Sequence, residues 1–357
     1  MSGSSLPRTL GIETSCDETA AAVTGADGQV EAHVLASQIE AHAPFGGVVP
    51  ELASREHLKA LPFLVPAALA HARGDIELVA VTSGPGLVGA LLVGVRFAAA
   101  FAWARRVPLV AVDHLQGHLV SPFLSLDGAP AKPIPSRVLA LVASGGHSSW
   151  YLMDSAGTAR RLGRTRDDAA GETFDKVAQV LGLPYPGGPV IDRLARHGSA
   201  GAVPLPRPRI KDAPFDFSFS GLKSAAIRWI RAERLEGAGA AEHVPQPVYD
   251  LLASFERAVV DQLLRPLPEL ARLYRPDMIT VSGGVAANSL LRRRLTKAGR
   301  NLGVTVVVPP LELTTDNAAM IARAGQLAFA RGERQDPRRF DARPSTKWQP
   351  PGMRRKR

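Results

Sequence analysis

The chain predicts an α/β protein of two domains built on one repeated strand and helix order, and three observations carry that reading. Its 357 residues, 45% hydrophobic and 21% charged, have ordinary globular composition and exceed what one typical domain needs. Short apolar strands alternate with longer helical runs. The strand–turn–strand pattern that opens the chain recurs after residue 136.

Thr9–Glu13, Thr19–Thr24 and Val30–Ile39 read as strands, with Asp27-Gly28 as the hairpin turn between the last two. Residues Glu51 to His71 have helical spacing. Leu78–Thr82 is a buried strand, Leu87–Arg105 a buried helix, and Leu109–Asp113 a strand leading into a helix that carries His114 and His118. The proline- and glycine-containing run from Leu124 to Pro135 reads as a loop and a domain boundary. Beyond it, Val138–Ala143, the turn Ser144-Gly145-Gly146-His147, Ser148–Met153 and Ala159–Gly163 repeat the opening meander.

Asp168–Leu181 is predicted helical and ended by Gly182, and Pro184 to Pro189 form a rigid loop before a short helix from Val190 to His197. Pro204 to Phe219 has no clear period. Val248–Tyr274 is helical with interruptions at Pro266 and Pro268, Met278–Val281 is a strand, and a helix carrying Arg292 to Arg294 follows Ser282-Gly283-Gly284. Val304–Val308 is the last strand, and Asn317–Arg331 a final helix expected to return to the first domain. Two βββαβα units with small polar turns facing a cleft make a duplicated ribonuclease-H-like, actin-like arrangement.

The net charge is +10, and residues 331–357 hold ten Lys/Arg against three acidic residues, which leaves about +3 for the body. That basic tail is either a solvated terminus or an RNA contact. A single cysteine, Cys16, excludes an internal disulfide and a Cys-rich zinc module, which favours a reducing, cytoplasmic setting. Residues Met1 to Ser5 lack a basic segment with an apolar core behind it, so no secretory signal is expected. The longest apolar run, Leu87 to Trp103, carries Arg96 and reads as a buried helix with no role in a membrane.

His114 and His118 lie four residues apart, so on a helix both imidazoles project from nearly one face and can share a metal ion. The candidate third ligand is Asp316, whose alternative is an N-cap on the last helix. Two imidazoles and a carboxylate suit Fe²⁺ or Zn²⁺ with positions left for a substrate oxygen. A zincin motif would need glutamate at the position of Leu115.

Glycine turns at Ser83-Gly84-Pro85-Gly86, Ser144-Gly145-Gly146, Pro186-Gly187-Gly188 and Ser282-Gly283-Gly284 follow or flank strands, where backbone amides can approach a phosphate. No P-loop or dinucleotide fingerprint is present in the sequence. Glu13, Asp17, Asp175, Asp192 and Asp316 lie near these turns, and Asn288 could serve a ribose or base.

With these residues assembled, the sequence closely resembles the tRNA threonylcarbamoyladenosine transferase family. The resemblance rests on GIETSCDET (Gly11–Thr19), GGVVPELASREH (Gly46–His57), GPGLVGALLVG (Gly84–Gly94), DHLQGH, SGGH, DDAAGETFDK (Asp167–Lys176), YPGG, FSFSGLK (Phe217–Lys223), SGGVAAN (Ser282–Asn288) and TDNAAM (Thr315–Met320). It implies an actin-like (ASKHA) two-domain fold. Residues 6–125 plus 315–345 would form a metal-bearing lobe, 136–314 a lobe with adenylate-binding turns, and 346–357 a basic, flexible tail.

The resemblance further implies one divalent metal, Fe²⁺ ahead of Zn²⁺, on His114, His118 and Asp316. A threonylcarbamoyl-adenylate would lie at Val142, Ala143, Ser144, Gly145 and Gly146, with Asp175, Gly188, Asp192 and Asn288 as further contacts. The implied reaction moves the threonylcarbamoyl group to the exocyclic amine of adenosine 37 in tRNAs reading codons that begin with adenine, and releases AMP. Glu13 and Asp17 are the candidate bases for the amine proton. Implied partners are tRNA, a separate synthase that supplies the adenylate, an actin-like paralogue and a small ATPase. Two other classes fit parts of the pattern: an actin-fold small-molecule kinase or ATPase, and a non-catalytic RNA-binding subunit.

Overall fold

The computed structural model describes residues 6–126 and 128–343. In chain order the elements are β1 (Thr9–Glu13), β2 (Glu18–Thr24), β3 (Val30–Ser37), a single-turn α1 (Ile39–His42), α2 (Pro50–Leu69), β4 (Leu78–Gly84), α3 (Val88–Arg105), β5 (Leu109–Asp113) and α4 (His114–Val120). There follow β6 (Val138–Ala143), β7 (Ser148–Met153), β8 (Ala159–Arg164), α5 (Ala170–Val180), α6 (Gly187–Leu194), α7 (Ser220–Ala232), α8 (Gln246–Leu264) and α9 (Leu267–Tyr274). The chain continues through β9 (Met278–Ser282), α10 (Ser289–Leu302), β10 (Thr305–Val307) and α11 (Ala318–Ala330).

One sheet has the order β3-β2-β1-β4-β5 and the other β8-β7-β6-β9-β10. These are the same topology twice. β1 pairs antiparallel with β2 and parallel with β4, as β6 pairs antiparallel with β7 and parallel with β9. The described residues fall into two compact units, the first running to Ile134 with Asp154–Ala159 and the chain from Pro309, the second covering Pro135–Met153 and Arg160–Val308.

In unit 1, Leu10, Ile12, Val79 and Val81 pack with Leu61 and Val65 of α2 and with Val95, Ala98 and Ala102 of α3. Helix α3 is long and apolar enough, by length and composition, to cross a membrane; its buried residues Val95, Ala98 and Ala102 lie in this core. Helix α11 seats against β1 and β4 through small residues. A Cβ on Gly11 would stand 2.2 Å from the Ala318 carbonyl oxygen, and one on Gly325 2.3 Å from Ala80 Cβ. That closeness fixes the start of α11, where Asp316 lies.

In unit 2, Leu139, Leu141 and Trp150 pack with Phe174, Phe217, Phe219, Phe255 and Ile279. Here the structure corrects several expectations. Helix α7 lies in a stretch given no element; its buried residues Leu222, Ala226 and Ile230 are four apart, a helical stripe that the irregular proline-rich run before it obscured. Helix α6 begins at Gly187, three residues before the expected start, since Pro186 in extended geometry serves as its N-cap. The long helix divides into α8 and α9 at Arg265-Pro266 as expected, where proline cannot donate to the ladder, but Pro268 lies in the first turn of α9 and does not interrupt it. The tail beyond Arg343, including 346–357, lies outside the described residues, as does Asp127 of the expected boundary loop.

Candidate metal centre and adenylate-binding turns

Strand β5 delivers Asp113 in extended conformation, and its side chain caps α4 by accepting from the Leu115 amide at 2.8 Å. Both imidazoles then emerge from the first turns of α4. Gly117 lets α4 approach α11: a Cβ there would meet Met320 Cγ and Ile321 Cδ1 at 2.9 Å. Ser121 Oγ donates to the Leu313 carbonyl, which ties the end of α4 to the chain entering α11.

The cap of α11 is Asn317, whose side chain accepts from the Met320 amide at 2.8 Å and donates to the Thr315 carbonyl at 2.9 Å. The capping alternative for Asp316 therefore falls, and its carboxylate points to the histidines. Asp316 Oδ1 lies 3.3 Å from His114 Nε2 and 3.1 Å from His118 Nε2. Candidate ligand atoms of the three residues lie within 4.8 Å of one another. The His118 contact lacks hydrogen-bond geometry, and both of its ring nitrogens are buried without a hydrogen-bond partner among the described residues. Three ligand atoms that converge on one point, with His118 left without a hydrogen-bond partner among the described residues, fit a divalent cation.

His114 is oriented from behind. Its Nδ1 is 3.1 Å from Glu13 Oε2 and 3.1 Å from Ser15 Oγ. Glu13 is fully buried; Oε2 also accepts from Thr82 Oγ1 at 2.5 Å, and Oε1 from the Ser15 amide at 2.5 Å. With Nδ1 engaged by this carboxylate, Nε2 is the ring nitrogen left facing Asp316, where a cation would take the place of its proton. Burial opposes charge on every member of the group. Attraction to His114 nevertheless holds Asp316 well below the ordinary carboxylate range and lowers Glu13 as well, and the two carboxylates hold His114 well above the ordinary imidazole range. Burial depresses His118, which stays neutral and suited to ligation.

Asp17 is half-buried on the turn after β1, and burial followed by repulsion from Asp316 raises its pKa. His57 of α2 holds that turn: its Nε2 lies 3.0 Å from the Cys16 carbonyl oxygen and its Nδ1 2.7 Å from Thr19 Oγ1. His57 closes the Gly46–His57 block, whose sequence alone gives it no task. Of the glycine turns, Ser83–Gly86 is closed by backbone, since a Cβ on Gly84 would meet the Arg343 carbonyl oxygen and one on Gly86 the Ser15 carbonyl oxygen at 2.5 Å.

In unit 2, Val142 and Ala143 end β6 buried, and the Ser144 amide donates to the His147 carbonyl at 2.7 Å. Gly145 and Gly146 have open space where a Cβ would stand. The turn after β9 lies alongside: Val142 pairs with Ser282, and Gly283, at φ +88°, comes so near Ala143 that a Cβ would clash at 2.4 Å. Two glycine turns thus meet at the carboxyl ends of adjacent parallel strands, the usual ligand position in such sheets.

Asp175 Oδ1 accepts from the Gly187 amide at 2.8 Å, and Gly188 opens onto free space. Asp192 Oδ1 accepts from Ser289 Oγ at 2.6 Å and from the Ser289 amide at 3.1 Å; Oδ2 accepts from Arg196 at 3.1 Å. Asn288 caps α10 through Leu291 N at 2.9 Å, which directs its Nδ2 to Glu256 Oε1 at 2.6 Å. Glu256 also shares a hydrogen bond with Asp192; burial, followed by Asp192, pushes its carboxyl up to about 8 despite Asn288 and Arg293. Glu256 thus joins Asp192 to Asn288, a link with no local sequence signal because it sits mid-helix in α8.

The profile of the tRNA N6-adenosine threonylcarbamoyltransferase family matches residues 29–323. Proteins of that name from Anaeromyxobacter sp. and Moorella thermoacetica are 51% and 49% identical, over 92% and 90% of this chain and 96% and 92% of theirs. One from Sorangium cellulosum is 47% identical over 98% of both chains. Among solved structures, HypF of T. kodakarensis aligns with TM-score 0.59 at 14% identity, over 91% of this chain and 48% of that one, a likeness of fold alone.

Proposed function

The chain belongs to the tRNA N6-adenosine threonylcarbamoyltransferase family, a family of actin-like tRNA-modifying transferases, and on that premise we propose how its residues divide the work of the transfer. The observation that carries the proposal is the convergence of His114, His118 and Asp316 from α4 and the start of α11. These three would hold one divalent ion, with Fe²⁺ the first choice and Zn²⁺ the second. Bound there, the ion supplies a Lewis acid for a phosphate or carbonyl oxygen of the donor. Glu13 orients His114, and its buried, fully engaged oxygens suit that task better than proton abstraction. Asp17, less buried and with a raised pKa, is the better candidate base for the amine of adenosine 37.

The donor is proposed to be threonylcarbamoyl-adenylate, with its AMP portion on the Val142–Gly146 turn. Open space at Gly145, Gly146 and Gly188 supports a close backbone approach to phosphate and ribose. Asp175 holds the α6 entry beside Gly188, and Asp192 and Asn288, joined through Glu256, would contact the same ligand. A separate synthase, an actin-like paralogue and a small ATPase remain proposed partners, and the lone Cys16 favours the cytoplasm. The test is threonylcarbamoyladenosine formed in tRNA by purified protein, donor and partners. D17N is expected to lose most of the turnover while keeping metal and donor affinity; unchanged turnover would remove Asp17 as the base.

A further inference from the structure

Unit 2 carries a charged feature that the transfer chemistry does not use. A cavity of about 380 Å³ is lined by Arg207 and Arg209, by Arg257 and Asp261 of α8, by Arg265 at its end and by Arg294 of α10. Five guanidinium groups surround one carboxylate. Asp261 pairs with Arg294 and lies 3.8 Å from Arg207 and 4.0 Å from Arg257. Arg209 has no hydrogen-bond or ion-pair partner among the described residues, and with burial its charge lowers the pKa of Arg265. Like charges gathered at such a cost imply an anion that relieves it.

The cavity is also held in shape. In Pro204-Leu205-Pro206-Arg207-Pro208-Arg209, alternate prolines fix φ and keep the residues before them extended, and both Arg207 and Arg209 line the cavity. Gln262 Nε2 donates to the Pro208 carbonyl at 2.7 Å, and Arg265 donates to the carbonyls of Pro214 at 2.6 Å and Asp216 at 2.5 Å. Gln262 thus ties the strap at Pro208 and Arg265 ties the chain that follows it, so little ordering is left for a ligand to impose.

We propose that this arginine-lined cavity binds the phosphodiester backbone of the substrate tRNA. The proposal rests on the tRNA-modifying reading of the chain. Guanidinium forks match phosphate oxygens two at a time, and the lining has no aromatic ring among the described residues, so it suits backbone contact and not base stacking. An acidic protein segment is the competing occupant, disfavoured because the family's substrate is itself a polyanion.

The test is equilibrium binding of unmodified tRNA to the full-length protein across a salt series. R207A/R209A is compared with R55A/R231A, which removes the same charge from exposed arginines paired with Glu51 and Glu236. The first pair is expected to weaken binding about tenfold or more and to lower the salt slope by about two, close to one for each phosphate no longer neutralised. The second should change little. R209A alone, which removes no hydrogen bond or ion pair, checks that any loss is not misfolding and should give about half the slope change. Wild-type affinity in R207A/R209A, or an equal loss in R55A/R231A, would overturn the proposal. So would a variant that loses only pyrophosphate binding, since the cavity would then take a free anion. A wild-type protein that fails to bind tRNA would overturn the substrate reading along with it.

Discussion

At His114 the two ring nitrogens do different work, because Glu13 takes Nδ1 and leaves Nε2 to the metal position. Replacing Glu13 by Gln is expected to weaken metal affinity about 10- to 100-fold with little change in fold, measured by competition with a chelator. Unaltered affinity would show that Glu13 does not set the tautomer. Glu256 makes a different prediction. Its carboxyl, ordinarily near 4.5 and here about 8, binds a proton more tightly in the folded chain, so its contribution to stability is full below about pH 4.5 and lost as pH rises through 8. Asp192 is shifted the other way, from 3.8, and acts only at lower pH. Gln can donate to Asp192 and accept from Asn288 as the protonated acid does. E256Q should therefore gain melting temperature over wild type from pH 5 to 8 and hold that gain above 8; a difference that does not vary with pH would contradict the assignment. The histidines could be found from sequence through their spacing, and Asp316 only through the family resemblance of the block TDNAAM. Glu13's partner 101 residues away and Glu256's 32 residues away could not.

Among the elements, α11 matters most to the metal site because it carries Asp316 into place across a seam of small residues. G325A sets a methyl group 2.3 Å from Ala80 Cβ and should cost about 1–3 kcal/mol by overpacking, read from urea denaturation. The same variant should bind metal less tightly, since Asp316 moves with its helix. Normal metal affinity in a destabilised protein would separate the two effects and count against this coupling. The strands were readable from alternating apolar runs and glycine turns, and β1, β5, β6 and β7 match their expected limits. Helix α7 escaped because its stripe is short and lies between irregular segments, and the α6 start because local proline geometry moved it to Gly187.

For the whole molecule, the duplicated strand order in the two sheets bears out the internal repeat that weak sequence identity only suggested. The repeat is one of topology, so side-chain comparison between the halves could not establish it. Each unit places its small turns at strand ends, yet among the described residues only unit 1 brings two histidines and an aspartate together, while unit 2 leaves open space at Gly145, Gly146 and Gly188. The charge is divided as well, between the tail beyond Arg343 and the arginine cavity in unit 2. If His114, His118 and Asp316 hold the metal, elemental analysis of purified wild type, H114A and D316A should find one divalent ion per chain in wild type and little in either variant at unchanged helical content; stoichiometric metal in both variants would refute the assignment.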